Sequence, residues 1–353
     1  MDFQLSDDQR ALRAGIRDIL AGRFGRDRMR AALDAGAGVD RGLWRELGEA
    51  GFFALRLPEA DGGAGLGLPE AVLLFEEAGR VLLPGPLIAT HLAAGAVKGA
   101  AEGTAVVAAL EPGRPVGHLG DVDGLLLLGP GAEREQPPEH PTQQAPERPV
   151  EQACALTGEE LRDLVREFAE PFRSLDPLTP LWRIAGPADG AGATTAGPGA
   201  RTPGARPLGE PLPDGARLRD EGALLAAAEQ LGSAARTTDL AVRHAGAREQ
   251  FGAPIGSFQA VKHLCADMLV RAELARCAVY AAAVTGDPVE IAGAKLLADD
   301  AAVRNARDCL QVHGGMGFTW EADVHLHLKR AWLRAGQWLA ADAAEEHLAA
   351  DLC

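Results

Sequence analysis

Positive charge is scarce in this chain: 35 Lys and Arg stand against 50 Asp and Glu in 353 residues, a formal charge of −15. Binding a phosphate backbone needs a basic face, so nucleic acid is excluded as an expected partner. Cysteine is sparse too. Cys154, Cys265, Cys277, Cys309 and Cys353 contain no CxxC pair and no metal-ligand spacing, which fits a reduced, cytoplasmic protein. His325 and His327 are two apart, so on a helix they do not share a face, and no metal is expected. The N-terminus, Met-Asp-Phe-Gln-Leu-Ser-Asp-Asp, lacks a basic n-region and an apolar h-region, so no secretory signal is expected. The most apolar N-terminal stretch, Ala71 to Val97, is broken by Glu76, Glu77, Arg80 and two prolines, which rules it out as a membrane span.

What the chain does have is length and an ordinary hydrophobic fraction of 47%, enough for two or three domains with real cores. Residues 1–103 read as a helical domain. Ser6 with Gln9 forms a capping box, and Leu12, Ile16, Ile19 and Leu20 follow at helical spacing. Residues 104–215 read as a small β domain built from short apolar runs such as Ala105–Leu110 and Gly124–Leu128. Two Pro-, Gly- and Gln-rich segments, Gly129 to Gln152 and Ala185 to Gly215, interrupt it. Neither buries enough apolar surface to offset its ordering entropy, so both are expected to be mobile loops. Between them, Gly158 to Phe172 reads as a helix. Residues 216–353 return to helical periodicity, with Val261, Leu264, Met268 and Ala272 on one buried stripe, and predict a four-helix bundle. The fold class is α+β multidomain.

Two segments carry chemistry. Arg248-Glu-Gln-Phe-Gly-Ala-Pro-Ile-Gly-Ser-Phe-Gln259 places a cation at the end of a long helical pattern, before a turn and a Ser257 able to cap the next helix. Gln311-Val-His-Gly-Gly-Met-Gly-Phe-Thr319 breaks a helical run with glycines whose bare amides suit an anionic ligand. Each alone also fits a helix-end cation or an ordinary loop. Arg236, Arg243, His244 and Arg248 recur along one stretch, which fits either part of a basic pocket or a solvated helix face.

Together the two segments resemble the flavin-dinucleotide contact motifs of acyl-CoA dehydrogenases, in the family's order. The loop Leu57-Pro-Glu-Ala-Asp-Gly-Gly-Ala-Gly-Leu-Gly-Leu68 is similar to a third segment of that family. The resemblance implies helical, β and helical regions, FAD, an acyl-CoA or acyl-carrier thioester substrate and an electron-transfer flavoprotein as acceptor. It also implies that the dinucleotide end of FAD reaches a neighbouring subunit. By carry-over, Arg248 pairs with the pyrophosphate, and Gln250 and Phe251 line the cofactor. Gln259 contacts the adenosine portion, while Gln311, Gly314 and Gly315 close over the diphosphate.

Other family features are missing. The Thr-Glu-x-x-x-Gly-Ser-Asp stretch and the Trp-x-x-Asn-type strand that hold the isoalloxazine are not found. Trp182, the middle domain's only tryptophan, reads as core. The family's Tyr-Glu-Gly-Thr segment, which carries its base, is replaced by Lys329-Arg-Ala-Trp-Leu-Arg-Ala-Gly-Gln-Trp338. An alternative base position falls on Glu221 or Gly222, and one residue on a helix turns a side chain by about 100°. Glu221 also fits an acid complementing the dipole at a helix start, and Glu229 lies about two turns further along. His313 reads as packing or flavin-edge. Three assemblies follow: a hetero-oligomer with a homologous partner subunit, a self-sufficient homo-oligomer using Glu221, and a flavin-free scaffold.

Overall fold

The computed structural model describes residues 4–36, 38–111, 113–128, 153–184, 210–212 and 215–352. Most of the two Pro- and Gly-rich segments therefore lies outside the described residues. The N-terminal part consists of α1 (Asp7–Arg23), α2 (Arg26–Asp34), α3 (Arg41–Glu49), α4 (Leu68–Arg80) and α5 (Leu87–Leu92). The capping box is formed: Ser6 Oγ accepts from the Gln9 amide and Gln9 Oε1 accepts from the Ser6 amide, both at 3.1 Å. Ile16 and Leu20 are buried, while Leu12 and Ile19 are half-buried, so the helical spacing marks a real inner face.

The middle part holds β1 (Val107–Leu110), β2 (Val116–Gly117), β3 (Gly124–Leu128), β4 (Ala153–Thr157), α6 (Gly158–Phe168), β5 (Ala169–Phe172), β6 (Leu181–Ile184) and β7 (Glu210–Leu212). One sheet runs β1-β3-β4-β7, with β1 parallel to β3, and a second runs β2-β6-β5. Both apolar runs are strands, Val107 pairing with Gly124 and Leu110 with Leu127. The helix read from Gly158 to Phe172 stops at Phe168. Pro171 cannot continue a helical ladder, and the last four residues of that stretch pair with β6 instead. Trp182 is half-buried against a small apolar cluster, its ring edge over Gly120.

The C-terminal bundle contains three long helices, α7 (Gly215–Ala247), α8 (Gln259–Thr285) and α9 (Pro288–His313), joined by α10 (Val324–Arg334). A short helix, α11 (Ala341–Asp351), packs on α9. Between α7 and α8 lies a ribbon of β8 (Glu249–Gln250) and β9 (Ala253–Pro254). Met268 and Ala272 are fully buried, and Val261 and Leu264 half-buried, which makes the expected stripe the inner face of α8. Helices α4 and α7 cross in backbone contact: a Cβ at Gly79 would lie 2.0 Å from the Glu229 carbonyl oxygen, and one at Gly232 1.9 Å from that of Glu76. This close crossing joins the N-terminal helices and the bundle through one apolar core.

Candidate functional site

The two glycine-containing motifs meet at one end of the bundle. Where α7 stops, the Arg248 amide donates to the His244 carbonyl and the Arg248 carbonyl accepts from the Ile255 amide, each at 2.8 Å, closing the turn on itself. Phe251 at its tip has φ of 55° and is 95% exposed. A bulky residue in the left-handed region is strained, and this ring is nearly fully exposed with only an edge contact to Phe258, which marks a candidate contact. Where α9 stops, Gly314 adopts φ 60° and ψ −145°, a conformation open to glycine alone. A Cβ on Gly314 or Gly315 would meet nothing within 4 Å, so their backbone faces open space.

His313 links the two. Its Nδ1 donates to the Cys309 carbonyl at 2.8 Å, and its ring stacks on His244 at 4.1 Å with 21° between planes. That stack ties the last turn of α7 to the last turn of α9. Arg248, Gln250, Phe251, Gln259, Gln311, Gly314 and Gly315 are all exposed, as are Met316, Phe318 and Trp320 just beyond. Ser257 does not cap α8: its Oγ donates backwards to the Pro254 carbonyl at 2.7 Å, and Phe258 occupies the cap position without a side-chain bond.

At the interior end, the cleft between α5, the first strands and the end of α10 holds only about 60 Å³. Its walls include Glu111, His118, Arg334 and Trp338. Trp338 explains part of the closure. Its ring lies over Gly222, where a Cβ would come within 2.0 Å of Trp338 Cε3, and its amide donates to Glu111 Oε1 at 2.7 Å. A buried ion-pair network adjoins the cleft behind its wall residues Thr179 and Arg334. Arg330 Nε donates to Asp176 Oδ2, Arg330 Nη1 donates to the Leu83 carbonyl at 3.2 Å, and Thr179 Oγ1 donates to Asp176 Oδ2 at 2.7 Å. Burial opposes the Asp176 charge, but Arg330 and these bonds outweigh it and hold the carboxyl below its ordinary pKa. Arg334 pairs with the buried Glu229, and Lys295 with Asp299, which also accepts from Gln230 at 2.9 Å. His118 accepts from the Gly85 amide at 3.2 Å, and burial, aided by Arg330, pushes its pKa down to about 3.

Glu221 sits in the second turn of α7, because the helix begins at Gly215 rather than beside it. It is buried, not an exposed acid at a helix start. Arg56 Nη1 and Nη2 donate to its two oxygens at 2.7 and 2.8 Å, and Arg217 Nε donates to Oε1 at 2.8 Å. Burial works against the charge, yet the Arg56 and Arg217 contacts prevail and lower the pKa. His325 stacks on Trp320 at 5.3 Å, and His327 Nδ1 lies 2.8 Å from Ser233 Oγ.

The fit to FAD is therefore split. The exposed cation and bare glycine backbone suit a diphosphate. The interior cleft lined by Glu111, His118, Arg334 and Trp338 is too small for an isoalloxazine, since ligand sites start near roughly 300 Å³. Arg334 and Trp338, which line it, and the neighbouring Asp176–Arg330 pair do not stand out in the sequence. The available signal was the run of cations Lys329, Arg330 and Arg334 in a segment where an acid was sought.

Residues 6–105 match the acyl-CoA dehydrogenase N-terminal domain, and residues 218–337 match the acyl-CoA dehydrogenase C-terminal domain. The acyl-CoA dehydrogenase IpdE2 of Mycobacterium tuberculosis is 34% identical over 92% of this chain and 91% of its own length. Among solved structures, glutaryl-coenzyme A dehydrogenase with glutaryl-CoA aligns with a TM-score of 0.75 and 20% identity, covering 100% of this chain and 96% of that one. The ChsE4-ChsE5 complex of Mycobacterium tuberculosis aligns at 0.74 with 20% identity, covering 100% and 99%. By its two domain matches and a relative of that identity along nearly its whole length, the chain belongs to the acyl-CoA dehydrogenase family, oxidoreductases that act on CH–CH bonds and generally bind FAD.

Proposed function

We propose that this chain is the flavin-completing subunit of a hetero-oligomeric acyl-CoA dehydrogenase, one that leaves the chemistry to a homologous partner. The observation that carries the reading is the contrast between its two ends: an interior cleft of about 60 Å³ lined by Trp338 and Arg334, against a diphosphate-suited surface left exposed. In this reading Arg248 pairs with the pyrophosphate of a flavin seated in the partner. Gln250 and Phe251 flank it, Gln259 meets the adenosine, and Gln311 with the Gly314-Gly315 backbone covers the diphosphate. Held there, FAD would supply the hydride-accepting chemistry for α,β-desaturation of an acyl-CoA or acyl-carrier thioester, with the α-proton going to a carboxylate of the partner. An electron-transfer flavoprotein is the proposed acceptor.

The exposed apolar side chains support this assignment, since a monomer rarely leaves Phe251, Met316, Phe318 and Trp320 bare on neighbouring segments. The ChsE4-ChsE5 protein, which shares this fold, is a complex of two chains, and we extend that mode of assembly to this one. A self-sufficient homo-oligomer would need Glu221 as base. Its three arginine contacts favour a structural ion pair, because a base clamped by two guanidiniums is a poor proton acceptor. The test is thioester desaturation by the purified chain, alone and after co-expression with a homologous partner. Activity only in the co-expressed sample supports the proposal, and full activity alone overturns it.

A further inference from the structure

A second cavity, unrelated to the flavin motifs, lies where α1, α2, α4, α7 and α10 meet and holds about 400 Å³. That volume falls within the range of small-molecule sites, whereas the closed interior cleft does not. Its walls divide by chemistry. Leu20, Phe24, Met29, Val81, Leu82 and Leu240 supply an apolar portion. The polar portion carries four guanidiniums, and three of them are already satisfied. Arg17 Nε and Nη2 donate to Glu77 at 2.9 and 2.6 Å, Arg26 Nε donates to Asp323 at 2.6 Å, and Arg80 Nη2 donates to Asp239 at 2.5 Å.

The fourth, Arg236, makes no hydrogen bond or ion pair with any described residue. It lies half-buried in the wall, where burial together with Arg243 and Arg80 disfavours its charge and Asp239 and Asp323 only partly offset them. The two carboxylates of the wall are not available to it. Glu77 is held by Arg17 with Arg13 at 3.5 Å, and Asp323 is shared by Arg26 and Arg30. His327, also in the wall, is fully buried with its pKa pushed down to about 3, so it brings no charge. The Arg236 guanidinium, partly exposed and with no hydrogen-bonded counter-ion in the wall, is open to an anion, and its planar fork suits a carboxylate or a phosphate.

We propose that this cavity binds a small amphipathic monocarboxylate, its carboxylate on Arg236 and its apolar body against Phe24, Met29 and Leu240. A single unpaired cation fixes the charge at one. It also argues for the free acid over a CoA ester, because the phosphates of CoA would find no second unpaired guanidinium in this wall. Bound there, the ligand bridges the N-terminal helices and the bundle and stabilises the folded chain in proportion to its occupancy.

Octanoate is a suitable probe, titrated calorimetrically and by thermal shift into the full chain, together with its partner where the two co-purify. One octanoate per chain is expected, with 1-octanol and octylamine weaker by about tenfold or more, the size of a lost charge-assisted contact. Arg236→Gln is expected to weaken octanoate by a similar factor. Ala21→Leu fills the void from an exposed position on α1 without touching the charge, and is expected to weaken it too. If Arg236→Gln does not fold, Ala21→Leu and the octanol comparison carry the test. No octanoate binding at millimolar concentration, octanol binding equally well, sulfate matching octanoate as an inorganic anion only, or either folded variant binding like wild type would overturn the proposal.

Discussion

Replacing Arg248 by Ala separates cofactor contact from structure more cleanly than any other change in this chain. Arg248 is exposed, and its turn is held by backbone bonds to His244 and Ile255 that Ala retains. Its loss from the fold is therefore expected to cost within about 0.5 kcal/mol, the usual range for surface substitutions. Its loss from a pyrophosphate is another matter. A hydrogen bond to a charged group contributes about 1.5–3 kcal/mol, so flavin dissociation should rise by roughly ten- to a hundredfold. The assay is the ratio of flavin to protein absorbance in the assembled oligomer after gel filtration, with Tm measured on the same sample. Flavin should fall sharply while Tm in the presence of excess FAD stays near wild type. Unchanged flavin content would refute the placement of Arg248 on the diphosphate, and a matching collapse of Tm would show that its role is structural.

Glu221→Gln should reduce stability and leave the desaturase rate of the assembled oligomer unchanged, measured by urea unfolding and turnover. With its pKa held below the ordinary value of 4.5, Glu221 contributes stability that is present above that value and lost as pH falls through the lower folded one. Breaking the buried Asp176–Arg330 pair by Asp176→Asn should cost about 3–5 kcal/mol, read as a lowered urea midpoint. Burial lowers His91 to about 4 and His118 and His327 to about 3 from 6.5, so below pH 6.5 the unfolded chain takes up protons that the folded chain refuses. At about 1.4 kcal/mol per pH unit for each, stability should fall steeply from pH 6.5 towards pH 5, and a flat Tm over that window would contradict it. Deleting residues 190–204, a Gly-, Ala-, Thr- and Pro-rich stretch outside the described residues, should leave Tm nearly unchanged, since closure entropy varies only logarithmically with length.

The parts of this protein that were readable in advance are those written in consecutive residues. The Ser6–Gln9 box, the apolar strands β1 and β3 and the stripe on α8 depend on spacing within a few residues, and so do the two motifs at the bundle end. The buried pairings beside the interior cleft join partners far apart: Asp176 meets Arg330 across 154 positions, and Trp338 covers Gly222. No local pattern encodes such pairings. The same holds for Glu221, whose neighbour Arg56 is 165 positions away and turns a helix acid into a buried ion pair. Ser257 failed for a local reason. Its hydroxyl had two carbonyl or amide choices within one turn, and it bonds back to Pro254 instead of forward to α8.

As proposed, this chain completes a flavin site in another subunit and does not hold one of its own. Flavin stoichiometry of the chain purified alone tests it most directly, by absorbance and by quantifying FAD released on denaturation. A folded, flavin-poor protein that gains FAD only when a homologous partner is present is expected, with Arg248→Ala blocking that gain. A homo-oligomer carrying one FAD per chain, able to desaturate a thioester and losing that activity in Glu221→Gln while keeping its flavin, would contradict it.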